Sequence, residues 1–467
     1  MMWVQRTIFI KIHPMKFLPT VLLTLILFLF SCREASTPLQ PDSALTEFAD
    51  SLIQSAVDSG QIAGAAIRIV QNGSSIFDKA YGFANLEFSI PMKTEYSFEI
   101  GSVTKQFTSA AILKLVEQGK IKLEDDFTDY IDFDTNGRKI SIAQLMNHTS
   151  GISSYTEIPA FWNLSVHGEP RDSLVRLVEN EDFLFEPGEA LIYNNSAYFI
   201  LGLLIEKVTG SDYEAFLKEE FFDALDMNST YYCSHREVVK GRSYGYNYSP
   251  DGLQQKPYLD HTWPYAAGSL CSTTQDLYKW ISALHGGKVL TDDLYQKMIT
   301  PGSLKNGEEV RYAFGLANYE NFGHRSIAHG GGINGFLSDT RYFPEEDLMI
   351  ICLVNTTGPK GAGLLADELT WQILDKRESA PLELDIEIAS VTGTYEGQVR
   401  GRRATVEISE FEDNLVLQVR GEAQADTLSR YVGNQTWMLE NDQYIFRNNA
   451  LEVEEIYGHY FLNRQSQ

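Results

Sequence analysis

Ser102 and Lys105 stand three residues apart in EIGSVTKQFTSAAILKLVEQG, a stretch whose apolar residues recur at helical spacing. On a helix, residues i and i+3 share a face, so a hydroxyl and an amine would sit one turn apart at a helix start. A lysine enclosed in protein can lose its proton near neutrality, and a helix N-terminus favours the negative charge that a serine develops as it attacks. These residue types at this spacing suit acyl transfer. The competing explanation is that Ser102 only caps an amphipathic helix. No other Ser-x-x-Lys occurs in the 467 residues, so the match is not one of a crowd.

Two further constellations could complete such a site. Tyr193-Asn194-Asn195 follows Pro187-Gly188 and leads into the apolar run SAYFILGLLIEKVTG, so its side chains are expected at a turn before a helix. A phenol acts as a base only if cationic neighbours such as Lys105 hold it toward phenolate, and Asn195 offers both a donor and an acceptor to the lysine and a substrate. A second Tyr-x-Asn, at Tyr319 and Asn321, falls in an apparent strand connection. The third piece is His329-Gly330-Gly331-Gly332, where glycines on a strand edge leave the backbone open and an N–H could join that of Ser102 in an oxyanion hole. The duplicate His285-Gly286-Gly287 follows LYKWISAL and reads as a helix C-cap.

The elements that must position these residues are legible in outline. Leu45, Phe48, Ala49, Leu52, Ala56 and Val57 fall at helical spacing before Gly60, and AAIRIVQ, Asn72-Gly73 and SSIFDKAYGF read as a hairpin. From about Leu123 to Tyr248 the pattern is helical and loop-rich. Four strand-like runs follow (VRYAFGLANYE, RSIAHGG, FLSDTRYFP and LMIICLVN), then a closing helix, GLLADELTWQILDK. Strands at both ends with helices between them imply one sheet assembled from distant segments, an α+β sandwich. After the charged linker RESAPLELDIE, short alternating segments from about Val391 indicate a small antiparallel barrel or meander. With 43% hydrophobic residues the chain is globular, and a net charge of −25 argues against nucleic acid. Cys32, Cys233, Cys271 and Cys352 show no Cys-x-x-Cys pair or ligand spacing, so neither a metal site nor a disulfide framework is expected.

The order of Ser-x-x-Lys, LMNHTSGI, Pro-Gly-x4-Tyr-x-Asn, AAGSLCSTTQDLYKW, HGGGINGF and LVN resembles the serine β-lactamase and penicillin-binding protein superfamily, in the branch of class C β-lactamases, D-amino-acid peptidases and family VIII esterases. The resemblance covers roughly Ser43 to Lys376. It implies the β-lactamase-like sandwich, an antiparallel sheet flanked by helices plus an all-helical region, and a cofactor-free serine hydrolase. Ser102 would be the acylated nucleophile, and Lys105 and Tyr193 would share the base role. Asn195, His329 and Gly331 would line the site, and the N–H groups of Ser102 and Gly332 would hold the oxyanion. The C-terminal segment resembles the lipocalin-like modules of some relatives, with a structural role as a cap.

Two departures bear on substrate. Members that recognise penicillins or peptide C-termini often carry Lys-Thr-Gly where this chain has His329, and FGLANYE holds no compensating arginine; Arg311 and Arg341 are the substitutes to examine. Hydrolysis of a small ester is therefore expected ahead of D-peptidase or β-lactamase activity, and a lysine introduced at 329 would be expected to favour carboxylate-bearing substrates. Tyr155, Phe161, Trp162, Tyr244, Tyr246 and Trp263 fall in loops that the family folds over the cleft; those that reach it would favour an apolar acyl group. The alternative from another class is a non-catalytic lipoprotein binding cell-wall peptides.

The N-terminus carries an address. From Met15, a lysine, an apolar run to Phe30 and Ser31-Cys32 look like a lipoprotein signal, with Cys32 lipidated; a short membrane anchor is the other reading. The expected organisation is a signal over 1–31, a tether over 32–42, the hydrolase domain over 43–376, a linker over 377–390 and the β domain over 391–467. A periplasmic or exterior, membrane-tethered location follows from that signal.

Overall fold

Leu45, Ala49, Ile53 and Ala56 lie on one face of the Ser43–Asp58 helix and are all buried, as a four-four-three spacing dictates. Asn72 and Gly73 both take positive φ, 50° and 70°, which gives the two-residue turn that right-twisted hairpins prefer. That turn joins the strands Gly64–Gln71 and Ser74–Asn85. The computed structural model describes residues 43–465 apart from 235, 322, 376–381, 400, 401, 413, 423 and 429. The expected signal, Cys32, the tether and the first part of the linker lie outside the described residues.

The hairpin docks against the Leu348–Val354 strand. Ala65 pairs with Val354 and Gln71 with Leu348, so the sheet runs Ala317–Asn321, His324–Ile333, Phe336–Phe343, Leu348–Val354, Gly64–Gln71, Ser74–Asn85, Ile90–Pro91, antiparallel throughout. Both faces of this sheet are covered, which explains why Leu348–Val354 is buried along its whole length instead of alternating. Ile67, Ile69, Ile350 and Cys352 pack under the Ser43–Asp58 and Ala362–Ile373 helices. Ala66, Val70, Ile351 and Leu353 face the other way, toward a core built on Phe107, Trp280 and the helical region. The Thr104–Glu117 helix runs through that core and is buried on almost every side, so its hydrophobic residues encircle it where a surface helix would show a stripe. This is the mixed α and β sandwich expected from the sequence.

Among the described residues, nine strands between Gly393 and Arg464 form the C-terminal sheet, and Leu191–Ile192 adds a tenth. Its edge strands, Asp426–Leu428 and Arg430–Gly433, are neighbours in the chain, so the sheet curls until it is nearly a barrel around Tyr395, Trp437, Phe446, Leu451 and Leu462. Ile192 pairs with Gly458 and Leu191 with His459, which ties this barrel to the segment that carries Tyr193.

One expectation is overturned. Cys233 and Cys271 form a disulfide, with Cα atoms 5.4 Å apart. Tyr231–Tyr232 pairs with Leu270–Ser272, and the Cys233 N–H donates to the Ser269 carbonyl, so strand register brings together two cysteines 38 residues apart. Pairing of that kind leaves no local spacing to read.

Candidate active site

Ser102 sits in a single 3-10 turn, Gly101–Val103, that runs directly into the Thr104–Glu117 helix. The helix N-cap is Val103, with no capping side chain, so Ser102 is not spent as a cap. Gly101 has φ of 49°, and a Cβ there would come within 2.9 Å of the Gly332 backbone. A Cβ on Gly331 would meet the Ile100 carbonyl at 2.1 Å and the Ser102 nitrogen at 3.1 Å. The glycines therefore serve a close approach, in which the His324–Ile333 strand lies against the serine turn with Gly332 beside it.

Lys105 is fully buried, and its Nζ lies 3.1 Å from Ser102 Oγ, 2.8 Å from Asn195 Oδ1 and 2.7 Å from the Ala267 carbonyl. Burial holds its pKa well below the usual lysine value. A neutral amine has two N–H donors and one lone pair, whereas an ammonium has three donors. Asn195 Oδ1 and the Ala267 carbonyl can only accept, so they consume both N–H bonds of the neutral form and leave the lone pair facing the Ser102 hydroxyl. The arrangement can take the serine proton without further movement.

Tyr193 follows the short Leu191–Ile192 strand, and Asn195 opens the Asn195–Thr209 helix, capped by Asn194 Oδ1 on the Ala197 N–H at 2.8 Å. The loop from His148 to Ser154 braces this turn: Asn194 N–H donates to His148 Nδ1 at 3.2 Å and Asn195 N–H to Ser154 Oγ at 3.1 Å. Tyr193 does not meet the expectation of a phenolate held by lysine. Lys105 Nζ stands over the face of its ring, 4.8 Å from the centre, and burial pushes the phenol well above its ordinary pKa. The phenol oxygen is buried without a hydrogen bond of full geometry, and the neighbouring Ser102 hydroxyl is what favours its ionised form.

His329 lies behind the site. It is 1% exposed, and its pKa is held at about 3 because burial disfavours the imidazolium. Its Nδ1 meets the Gly330 carbonyl, which can only accept, so Nδ1 carries the proton and Nε2 accepts from Tyr312 Oη at 2.9 Å. Tyr193, Tyr312 and Tyr457 surround the ring at 6.1, 5.6 and 5.3 Å between centres. Ser102, Asn195 and Gly332 line a cleft of about 110 Å³, together with Tyr155, Phe161, Trp162, Leu259, Pro264 and Ile333. Among the described residues lining it there is no lysine, arginine or histidine. Arg311 is bound to Glu454 at 2.8 Å and Arg341 to Asp339 at 2.8 Å, so both candidate substitutes for a motif lysine are engaged elsewhere. Of the other aromatics, Trp263 packs on Phe161 from behind and donates to the His167 carbonyl, while Tyr246 is bonded to Glu87.

Residues 49–375 match the family model described as Beta-lactamase. The chain belongs to the β-lactamase family. Protein flp of Staphylococcus aureus (strain MRSA252) is 26% identical over 363 residues, covering 75% of this chain and 69% of that protein. A penicillin-binding protein of Bacillus subtilis (strain 168) is 29% identical over 303 residues, 61% of this chain and 66% of that one. Among solved structures, the octameric penicillin-binding protein homologue from Pyrococcus abyssi covers 90% of this chain and 100% of its own, with a TM-score of 0.63 at 25% identity. The D-amino acid amidase from Ochrobactrum anthropi SV3 shares the fold at a TM-score of 0.63 and 22% identity, over 71% of this chain and 99% of that one. This β-lactamase-family chain is thus similar in sequence to a penicillin-binding protein and shares its fold with a D-amino acid amidase.

Sequence reasoning had named Ser102, Lys105, Tyr193, Asn195 and Gly332, which the fold gathers around one cleft. It missed His148, Tyr312, Tyr457 and the Ala267 carbonyl. His148 lay in a quoted block without a role. A backbone acceptor and tyrosines from distant loops leave no pattern.

Proposed function

We propose that this β-lactamase-family protein is an esterase that works through an acyl-enzyme on Ser102. Ser102 Oγ attacks the acyl carbon, its proton passes to the Lys105 amine, and the Ser102 and Gly332 N–H groups receive the oxyanion. The Lys105 ammonium then gives that proton, through the neutral Tyr193 phenol beside Ser102, to the departing alcohol or amine, and water repeats the sequence to release the acid. The observation that carries this reading is the position of Lys105, whose Nζ lies 3.1 Å from Ser102 Oγ while two acceptor-only partners take its other bonds.

The cleft supports a substrate with a compact apolar acyl group and no carboxylate beside the scissile bond. Tyr155, Phe161, Trp162 and Ile333 offer apolar surface, and no cationic side chain lines it among the described residues. A D-stereospecific amidase or peptidase is the second reading, favoured by the likeness to the D-amino acid amidase fold. A p-nitrophenyl ester, a D-amino acid amide and a cephalosporin assayed on one purified sample should be turned over in that order of kcat/KM. Cephalosporin or amide turnover equal to the best ester would overturn the preference.

The same proposal places the protein in the cell envelope, anchored by lipid on Cys32. The Cys233–Cys271 disulfide supports this, because such bonds persist in oxidising compartments. Mass spectrometry of the membrane-extracted protein should find a diacylglyceryl Cys32, and Cys32→Ala should move the protein to the soluble fraction; an unmodified, membrane-free wild type would contradict the placement.

A further inference from the structure

The C-terminal barrel reaches the catalytic groups through one hairpin tip. Strands Ala450–Glu455 and Gly458–Arg464 are joined by Ile456-Tyr457, where hairpin tips ordinarily carry glycine, asparagine or other polar residues facing water. Here the two tip residues pack into an apolar cluster with Leu191, Tyr193, Tyr312 and Ala317 of the hydrolase region. The strand that follows the tip pairs with Leu191–Ile192, so the hairpin is hydrogen-bonded to the segment that delivers Tyr193.

Two of the contacts that Tyr457 makes there bear on the site. Its ring lies edge to face with Tyr193, with centres 5.5 Å apart. Its hydroxyl accepts the Gly330 N–H at 2.9 Å. The outer neighbour of the His324–Ile333 strand begins pairing only at Ala317, opposite Ala328, so among the described residues the strand edge beyond Ala328 has no strand partner on that side. Backbone direction alternates along a strand, so the N–H groups of Gly330 and Gly332 point from the same edge. Tyr457 holds the first of these, two residues from the one that stands beside Ser102.

We infer that Tyr457 is a positioning residue of the acyl-transfer site, fixing both the Tyr193 ring and the glycine edge that presents Gly332, so that the barrel is part of the active site. This rests on the acyl-enzyme reading. It goes beyond the structural cap expected of the C-terminal segment.

The test compares two full-length variants that each remove one tyrosine hydroxyl bond. Tyr457→Phe loses the bond to Gly330, and Tyr395→Phe loses a bond within the barrel, to the Val391 carbonyl at 2.8 Å. Tyr457→Phe should lower kcat, and the rate at which a fluorophosphonate labels Ser102, by about three- to tenfold, with KM within about twofold of wild type, as expected for one lost buried hydrogen bond. Tyr395→Phe should lower Tm and leave both rates unchanged. Wild-type rates in Tyr457→Phe, or an equal loss in both variants, would overturn the inference. Absence of labelling in the wild type would instead remove the acyl-enzyme reading, and with it the role given to Tyr457.

Discussion

Replacing Asn195 by aspartate changes one atom of the site and tests how Lys105 works. The Asn195 oxygen lies 2.8 Å from Lys105 Nζ and marks where a carboxylate oxygen would stand. At that distance, with an effective dielectric near 20, a carboxylate and an ammonium attract by about 6 kcal/mol, or about four pKa units. The cost of burying the new charge offsets part of this. Either way the lone pair is lost to Ser102: an ionised aspartate keeps Lys105 protonated, and a protonated one donates its hydrogen to the amine. Asn195→Asp should therefore lower kcat/KM at pH 7 by at least about a hundredfold and move the acid limb of the kcat/KM profile up by at least about two units. The assay is a pH series on a neutral ester, with circular dichroism to confirm folding. A profile that superposes on the wild type would refute the neutral-lysine reasoning.

The Cys233–Cys271 bond closes a 38-residue separation, so Cys233→Ser with Cys271→Ser should cost about 4 kcal/mol in urea unfolding; an unchanged midpoint would show that the bond contributes nothing. His285, stacked on Tyr342, is held at a pKa of about 3, so between about 3 and 6.5 the unfolded chain binds a proton there that the folded chain does not. Stability from this group is full above 6.5 and is lost as pH falls toward 3; His285→Gln should flatten the slope of stability with pH by up to about 1.4 kcal/mol per unit, and equal slopes would contradict the assignment. His329→Lys should not recruit carboxylates. Enclosed by three tyrosines, a lysine there would be a buried charge, so the variant should lose about 3 kcal/mol or more of stability with no rise in the cephalosporin-to-ester ratio; a tenfold rise would mean that residue 329 reaches the substrate after all.

Much of the site was legible because its parts are local. Ser102 and Lys105 are joined by helix geometry, Tyr193 and Asn195 by one turn, and the glycine run by its need for a backbone without side chains. The sheet was legible in its pieces, since Asn72-Gly73 marks a turn wherever it stands, and Leu348–Val354 is apolar because both its faces are covered. What stayed hidden depends on long-range register. His329 reads as a cleft residue until its strand is placed, and then its side chain points into a packed cluster. The lowered pKa of Lys105 and the raised pKa of Tyr193 follow from complete burial, and a backbone carbonyl at Ala267 takes one of the lysine's bonds, neither of which a residue type announces. Tyr457 arrives 264 positions after Tyr193, through strand pairing with a two-residue strand.

In the proposed reaction Ser102 becomes covalently acylated with Lys105 as its base. Intact-protein mass spectrometry after reaction with a fluorophosphonate, followed by peptide mapping, tests it directly. One adduct on Ser102 is expected, absent in Ser102→Ala and slowed by at least about a hundredfold in Lys105→Met. An adduct that persists in Ser102→Ala, or forms at the wild-type rate without Lys105, would contradict the account.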